Sequence, residues 1–290
     1  MSGIDIVEVV DRTRFRSRIR ATAPPLATPT QRTPRSLPSA RDEEEAWLRT
    51  RRERRLRRSA GMVLVLVAFV AVAIALTSAR GGTPPKPGSR AARRDVAATV
   101  ALLRGIPQSG RALGSAHAPV TVTEYADLEC SVCRAFALGA EESLIAKGVR
   151  AGQVKLVYRS LCTATCNGPL ARPGFAGQQA AAYAAALQRL GWDYIELFYR
   201  EQGAEGTSYV TPSYLAGLAH QVPGLDYQKW HADHGLPSLR AQVTDEGSAA
   251  ARQGFGSTPT IVVEGERGKA QPIVGAPDFS TLQAAIKSVQ

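Results

Sequence analysis

Two cysteines three positions apart, Cys130 and Cys133, stand in the stretch TVTEYADLECSVCRAF over residues 121–136. The alternating apolar run before them reads as a strand and the run after them as a helix. A cysteine at that junction faces the free N–H groups and the positive end of the helix dipole. Both stabilise a thiolate and lower its pKa below the free value of about 8.5. The second cysteine lies one helical turn on, within reach of the first. Such a pair can make a mixed disulfide through Cys130 and resolve it through Cys133. Two other readings stay open. With Cys162 and Cys166 the thiols number four, enough for a tetrahedral zinc site, and a Cys130–Cys133 bond could be purely structural. Zinc clips sit in turns, whereas this pair opens an amphipathic helix, so redox exchange is the favoured reading.

A second feature lies far along the chain, in GFGSTPTIVV over residues 254–263. The Thr258–Pro259 bond precedes a strand, and X-Pro bonds alone go cis at modest cost. A cis proline there would bend the backbone and leave Thr258 free to pair with an extended peptide. The plainer reading is a trans proline opening a strand. Cys162 and Cys166, four residues apart in SLCTATCNGPLARPG, suit a local structural disulfide in a helical turn or tight loop. An electron relay with Cys130 and Cys133 is the alternative. The histidines His117, His220, His231 and His234 sit away from these motifs and read as surface or core residues, not ligands. Tyr125, Phe136 and Trp192 are assigned to packing rather than to a groove.

Positioning these residues requires an α/β fold. A short helix is expected from Asp95 and a strand over 119–127. The helix carrying the cysteine pair follows to residue 148, and a second strand covers 153–161. A helical block then fills about 168–253. Strands over 258–265 and 270–276 and a final helix over 278–289 close the chain. Strands alternating with helices imply one layered sheet, and residues 95–290 suffice for one sizeable core.

Charge divides the chain. Residues 1–94 carry 20 Lys/Arg against 8 Asp/Glu, and residues 95–290 carry 16 against 17. The basic part lacks a globular pattern, so the excess does not point to nucleic acid. It flanks GMVLVLVAFVAVAIALTSA over residues 61–79, an uncharged run of membrane-spanning length. The expected plan is a disordered cytoplasmic tail over 1–46 and a basic juxtamembrane helix over 47–59. A transmembrane helix over 60–79 and a linker over 80–94, standing the next domain off the membrane, follow. Eight basic residues in the 20 before the span against five in the 20 after place the N-terminus in the cytoplasm and the folded domain outside. All the cysteines would then lie in an oxidising space, anchored to the lipid bilayer.

The strand, the cysteine pair, QVKLVYRSL, the helical block and GSTPTIVV occur in one order from Gly114 onward. In that order the chain resembles the DsbA-type thiol:disulfide oxidoreductases, a thioredoxin-like fold with an inserted helical subdomain. The resemblance implies a nucleophilic Cys130, a buried resolving Cys133 and a cis Pro259 against the disulfide, preceded by Thr258. The family's buried acid falls on Glu124, with a general acid/base role toward Cys133; a solvent-facing strand residue is the bland alternative. Strongly oxidising members carry Pro-His between the cysteines, and this chain carries Ser131–Val132. Glu129, directly before Cys130, would raise the thiol pKa if close. A weaker oxidant than the DsbA value of about −120 mV is therefore expected. No flavin, haem or nucleotide motif is present, so no cofactor is expected and electrons need an external acceptor. The family implies reduced secreted proteins as substrates and a membrane quinone-linked thiol oxidase as partner. The rivals are an extracytoplasmic reductase or isomerase, separated only by potential, and a non-catalytic binding or scaffold module.

Overall fold

The central strand β3 (Val120–Ala126) lies between a parallel β4 (Val154–Ser160) and an antiparallel β5 (Thr260–Gly265) in this computed structural model. The structure describes residues 83–163 and 175–290. The tail, juxtamembrane helix and membrane span expected over 1–79 lie outside the described residues, as does Cys166. Among the described residues no helix is long and apolar enough to cross a membrane.

Successive strand side chains point to opposite faces. In β3 this buries Val120, Val122, Glu124 and Ala126 and leaves Thr121, Thr123 and Tyr125 half-buried. Glu124 therefore shares the core-facing set of two valines and stands opposite Tyr158 of β4 and Ile261 of β5. Outward from β4 runs a hairpin of β1 (Gln108–Ser109) and β2 (Ala112–Leu113). Outward from β5 lie β6 (Gly268–Lys269) and β7 (Ile273–Val274). The order across the sheet is β1-β2-β4-β3-β5-β6, with β7 also on β5.

The structure departs from the sequence reading at the start of the domain and in its short strands. The first helix, α1 (Arg90–Leu103), starts within the stretch expected to be linker, because Ser89 caps it and accepts a hydrogen bond from the Ala92 N–H at 3.2 Å. The preceding prolines do not stand free of the domain. Pro87 packs close to Gly217, where an added Cβ would lie 3.2 Å from its ring. The β1–β2 hairpin and β6 were not foreseen, since two-residue strands carry no readable alternation.

The helix after β3 is composite. It comprises α2 (Ser131–Phe136), a π turn (Ala137–Glu141), α3 (Glu142–Leu144) and a second π turn (Ile145–Val149). Cys133, Phe136, Ala137, Ala140, Glu141, Leu144 and Ile145 are buried, a stripe at three- and four-residue spacing.

The helical insertion comprises α4 (Phe175–Leu187), α5 (Gly191–Arg200), α6 (Pro212–Gln221), α7 (Tyr227–Asp233) and α8 (Pro237–Arg252). Its alanine-rich α4 is almost wholly buried. The indoles lock the layers together: Trp192 donates to the Arg111 carbonyl at 3.1 Å and Trp230 to the Ala181 carbonyl at 2.8 Å. Buried Glu246 of α8 accepts from the Ser160 N–H at 2.9 Å, from Arg159 at 3.0 Å and from the Tyr183 hydroxyl, and pairs with Arg111. That cluster ties the insertion to β4. The chain ends in α9 (Phe279–Val289), capped by Asp278 through the Thr281 N–H at 2.7 Å.

Candidate active site

The β3 strand ends at Ala126, and a short loop delivers Cys130 to the N-cap of α2. Its sulfur accepts the Cys133 backbone N–H at 3.4 Å. Cys133, one turn on, is fully buried beneath it. The two thiols hydrogen-bond, and that contact is the largest influence holding Cys130 down at about 7. Burial opposes it, and hydrogen bonds from Thr258 and the Cys133 N–H add to it. Cys133 is pushed well up, first by burial and then by its bond to Cys130 and by nearby Glu124. The pair is therefore asymmetric. Cys130 is the thiolate near neutrality and Cys133 stays protonated.

The insertion shapes the loop. Gln202 donates its amide to the Leu128 carbonyl at 2.7 Å and the Cys130 carbonyl at 3.1 Å. Glu205 accepts the Ser131 N–H at 2.9 Å, occupying a helix-terminal donor beside Cys130. Arg134 donates to the Tyr199 carbonyl at 2.9 Å. Across the site, the Thr258–Pro259 peptide is cis. As a thiol, Cys130 donates to the Thr258 carbonyl at 3.6 Å. The Thr258 hydroxyl lies 2.9 Å from that of Thr163. Beside Cys130 opens a groove of about 980 Å³, lined by Val132, Thr163, Phe175, Phe255 and Thr258 among others.

A thioredoxin family model matches residues 108–288. The chain belongs to the thioredoxin family. It is 29% identical over 182 residues to a Na(+)/H(+) antiporter NhaA of Herminiimonas arsenicoxydans, covering 63% of this chain and 26% of that protein. The chain thus spans about a quarter of that relative's length. It is 22% identical over 184 residues to the "Probable disulfide bond formation protein D" of Bacillus anthracis, covering 61% of this chain and 76% of that one. The oxidised BdbD of Bacillus subtilis superposes with a TM-score of 0.53 at 19% identity, over 72% of this chain and 96% of that one. The DsbA-type resemblance holds at the level of fold: a thioredoxin-like sheet with helices inserted between β4 and β5.

The structure gathers Cys130, Cys133, Thr258 and Pro259 at one point, with Glu124 beneath. Glu124 is fully buried, not solvent-facing, and its carboxyl is raised to about 7, chiefly by burial. Cys162 lines the groove and is disulfide-bonded, so the four cysteines do not form one zinc site. Its expected pairing with Cys166 falls outside the described residues. Glu129 is buried and accepts a hydrogen bond from Gln178 at 3.1 Å. A carboxylate that the sequence did not single out, Glu205, pushes Cys130 up. Sequence reasoning also passed over Gln202, Glu141 and Glu196. For Glu141 a signal existed: it falls four residues after Ala137 and three before Leu144, on the apolar stripe. Phe136 and Trp192 are core, while Tyr125 packs edge-on against Phe255 of the groove at 5.0 Å.

Proposed function

We propose that the protein is a DsbA-type thiol:disulfide oxidoreductase that passes disulfides to cysteine pairs of unfolded protein substrates. The observation that carries this is the asymmetry of the dithiol. Cys130 is held at about 7 at the edge of an apolar groove and Cys133 is raised and buried. Glu124 adds a buried acid beside the thiol that must gain and lose a proton. A substrate thiolate attacks Cys130 and breaks the Cys130–Cys133 bond, and Cys133 leaves with the electron pair and takes up a proton. A second substrate thiolate then attacks the substrate sulfur of the mixed disulfide. The substrate leaves oxidised and Cys130 leaves as thiolate. The apolar run over 60–79 and its basic flank support a membrane-anchored protein with this domain outside the cytoplasm, acting on secreted proteins. A quinone-linked membrane thiol oxidase is the re-oxidising partner this reading calls for.

One observation favours a second reading. A Cys130 pKa of about 7 matches thioredoxin rather than DsbA, whose cysteine sits at about 3.5. A less stabilised thiolate makes a weaker oxidant, so a disulfide reductase or isomerase is the alternative. The reduction potential of the full-length protein in glutathione buffers separates the two. A value well above about −180 mV marks a disulfide donor, and one near −270 mV marks a reductase. Absence of exchange defeats both readings and leaves a binding module.

A further inference from the structure

Three glutamates, Glu124 of β3, Glu141 of the first π turn and Glu196 of α5, are fully buried next to the dithiol. No donor among the described residues reaches either carboxyl oxygen of any of them. Unpartnered buried carboxylates are costly. Protons supply the missing donors, because Glu124 bonds to Glu141, and Glu141 to Glu196, when the acids share them. Among the described residues no group of acids, cysteines or histidines is arranged to hold a metal ion. The last acid reaches the surface: Glu196 lies 3.7 Å from the Arg200 guanidinium, which pairs at 2.5 Å with the partly exposed Glu142.

We propose that Glu141 and Glu196 extend Glu124 into a proton relay linking Cys133 to the Glu142–Arg200 ion pair. The proposal rests on the exchange activity proposed above. When the Cys130–Cys133 bond breaks, Cys133 leaves as a thiolate and takes its proton from Glu124. Glu141 refills Glu124, Glu196 refills Glu141, and the surface restores Glu196. Re-oxidation by an external disulfide runs the protons outward. Glu141 and Glu196 touch no reacting sulfur; they position and pass protons through Glu124.

Few other charges reach the chain. Around Glu124 stand Cys130 and Cys133 of the active-site turn, Tyr158 of β4 and Tyr199 of α5. Around Glu141 and Glu196 stand Glu142 of α3 and Asp193 and Arg200 of α5. Asp95 of α1 interacts with Arg200. α9, also packed on the π turn, buries Leu282, Ile286 and Val289. The π turn carrying Glu141 is a local widening of the kind that recurs at functional positions.

The test is a single turnover of the reduced full-length protein with oxidised glutathione, quenched with acid and read by mass. The first phase forms the Cys130–glutathione mixed disulfide. The second needs Cys133 to lose its proton and expel glutathione. E141Q and E196Q are expected to prolong the mixed disulfide at neutral pH by at least about tenfold. The first phase should stay at the wild-type rate, and the pH inflection of the second should move. Wild-type rates and inflection in both variants overturn the relay, as does equal slowing of both phases. Infrared difference spectra between the oxidised and reduced protein give a second readout. More than one carboxylic-acid band that responds to Cys133, with one removed by E141Q or E196Q, supports the relay. A single responding band, unchanged in E141Q and E196Q, overturns it. A wild type that forms no mixed disulfide defeats the proposed activity itself.

Discussion

The Glu205 carboxylate accepts the Ser131 backbone N–H at 2.9 Å, at the very helix end where Cys130 seeks stabilisation as a thiolate. A negative charge there competes with the sulfur for helix-terminal donors and pushes the thiol up. In Glu205→Gln the Cys130 pKa should fall below 7, and alkylation of Cys130 at pH 6 should rise about threefold. The disulfide should become more oxidising in glutathione buffers. An unchanged alkylation profile would show that Glu205 does not set the thiol.

The opposite change is expected at Thr258. Its hydrogen bond helps hold Cys130 down, and its hydroxyl is 2.9 Å from Thr163. Thr258→Val should raise the Cys130 pKa and slow alkylation at neutral pH by about threefold. Circular dichroism of the variant is the check that the fold is kept. A rate equal to wild type counts against this hydrogen bond.

Glu124 predicts a pH signature in stability. Its folded pKa is raised from 4.5 to about 7. A raised carboxyl contributes stability that is fully present below the unfolded value and lost as pH climbs through the folded one. The wild type should therefore weaken between about pH 4.5 and 7 relative to Glu124→Gln. The variant should be more stable by up to a few kcal/mol at pH 8, with the gap closing at pH 4. Urea unfolding of both reduced proteins at the two pH values measures it. A gap that does not vary with pH would falsify the burial argument for this acid.

Cys133 is fully buried, and resolution depends on it. Cys133→Ala should trap mixed disulfides with model substrates presented as their glutathione adducts, the Cys130 thiolate attacking the substrate sulfur and glutathione leaving as thiolate, visible on non-reducing gels. Cys130→Ala should form none. Adducts from Cys130→Ala and none from Cys133→Ala would reverse the assignment of attacking and resolving sulfur, and equal amounts would sink it.

Sequence patterns of two kinds were legible. Alternation over VTVTEYA marks β3 and, read strictly, places Glu124 with Val120 and Val122 in the core. The strand-to-helix passage around Cys130 was legible because periodicity changes from two to about four across it. Other features left no local mark. Glu205 lies 74 residues from Ser131, and only the folded insertion brings them together. Glu129 is next to Cys130 in sequence, but its hydrogen bond to Gln178, 49 residues on, could not be read from the sequence. The Ser89 cap was hidden by arginines that resemble a linker but propagate a helix well.

The insertion holds the active-site loop at many separate points. Gln202 grips two carbonyls, Glu205 occupies Ser131, Tyr199 receives Arg134, and Gln178 binds Glu129. The sheet builds the dithiol, but the block of helices between Phe175 and Arg252 decides how firmly it is clasped. Exchanging that block for a different one, with the cysteines and the strands untouched, is thus a way to retune the voltage of the pair.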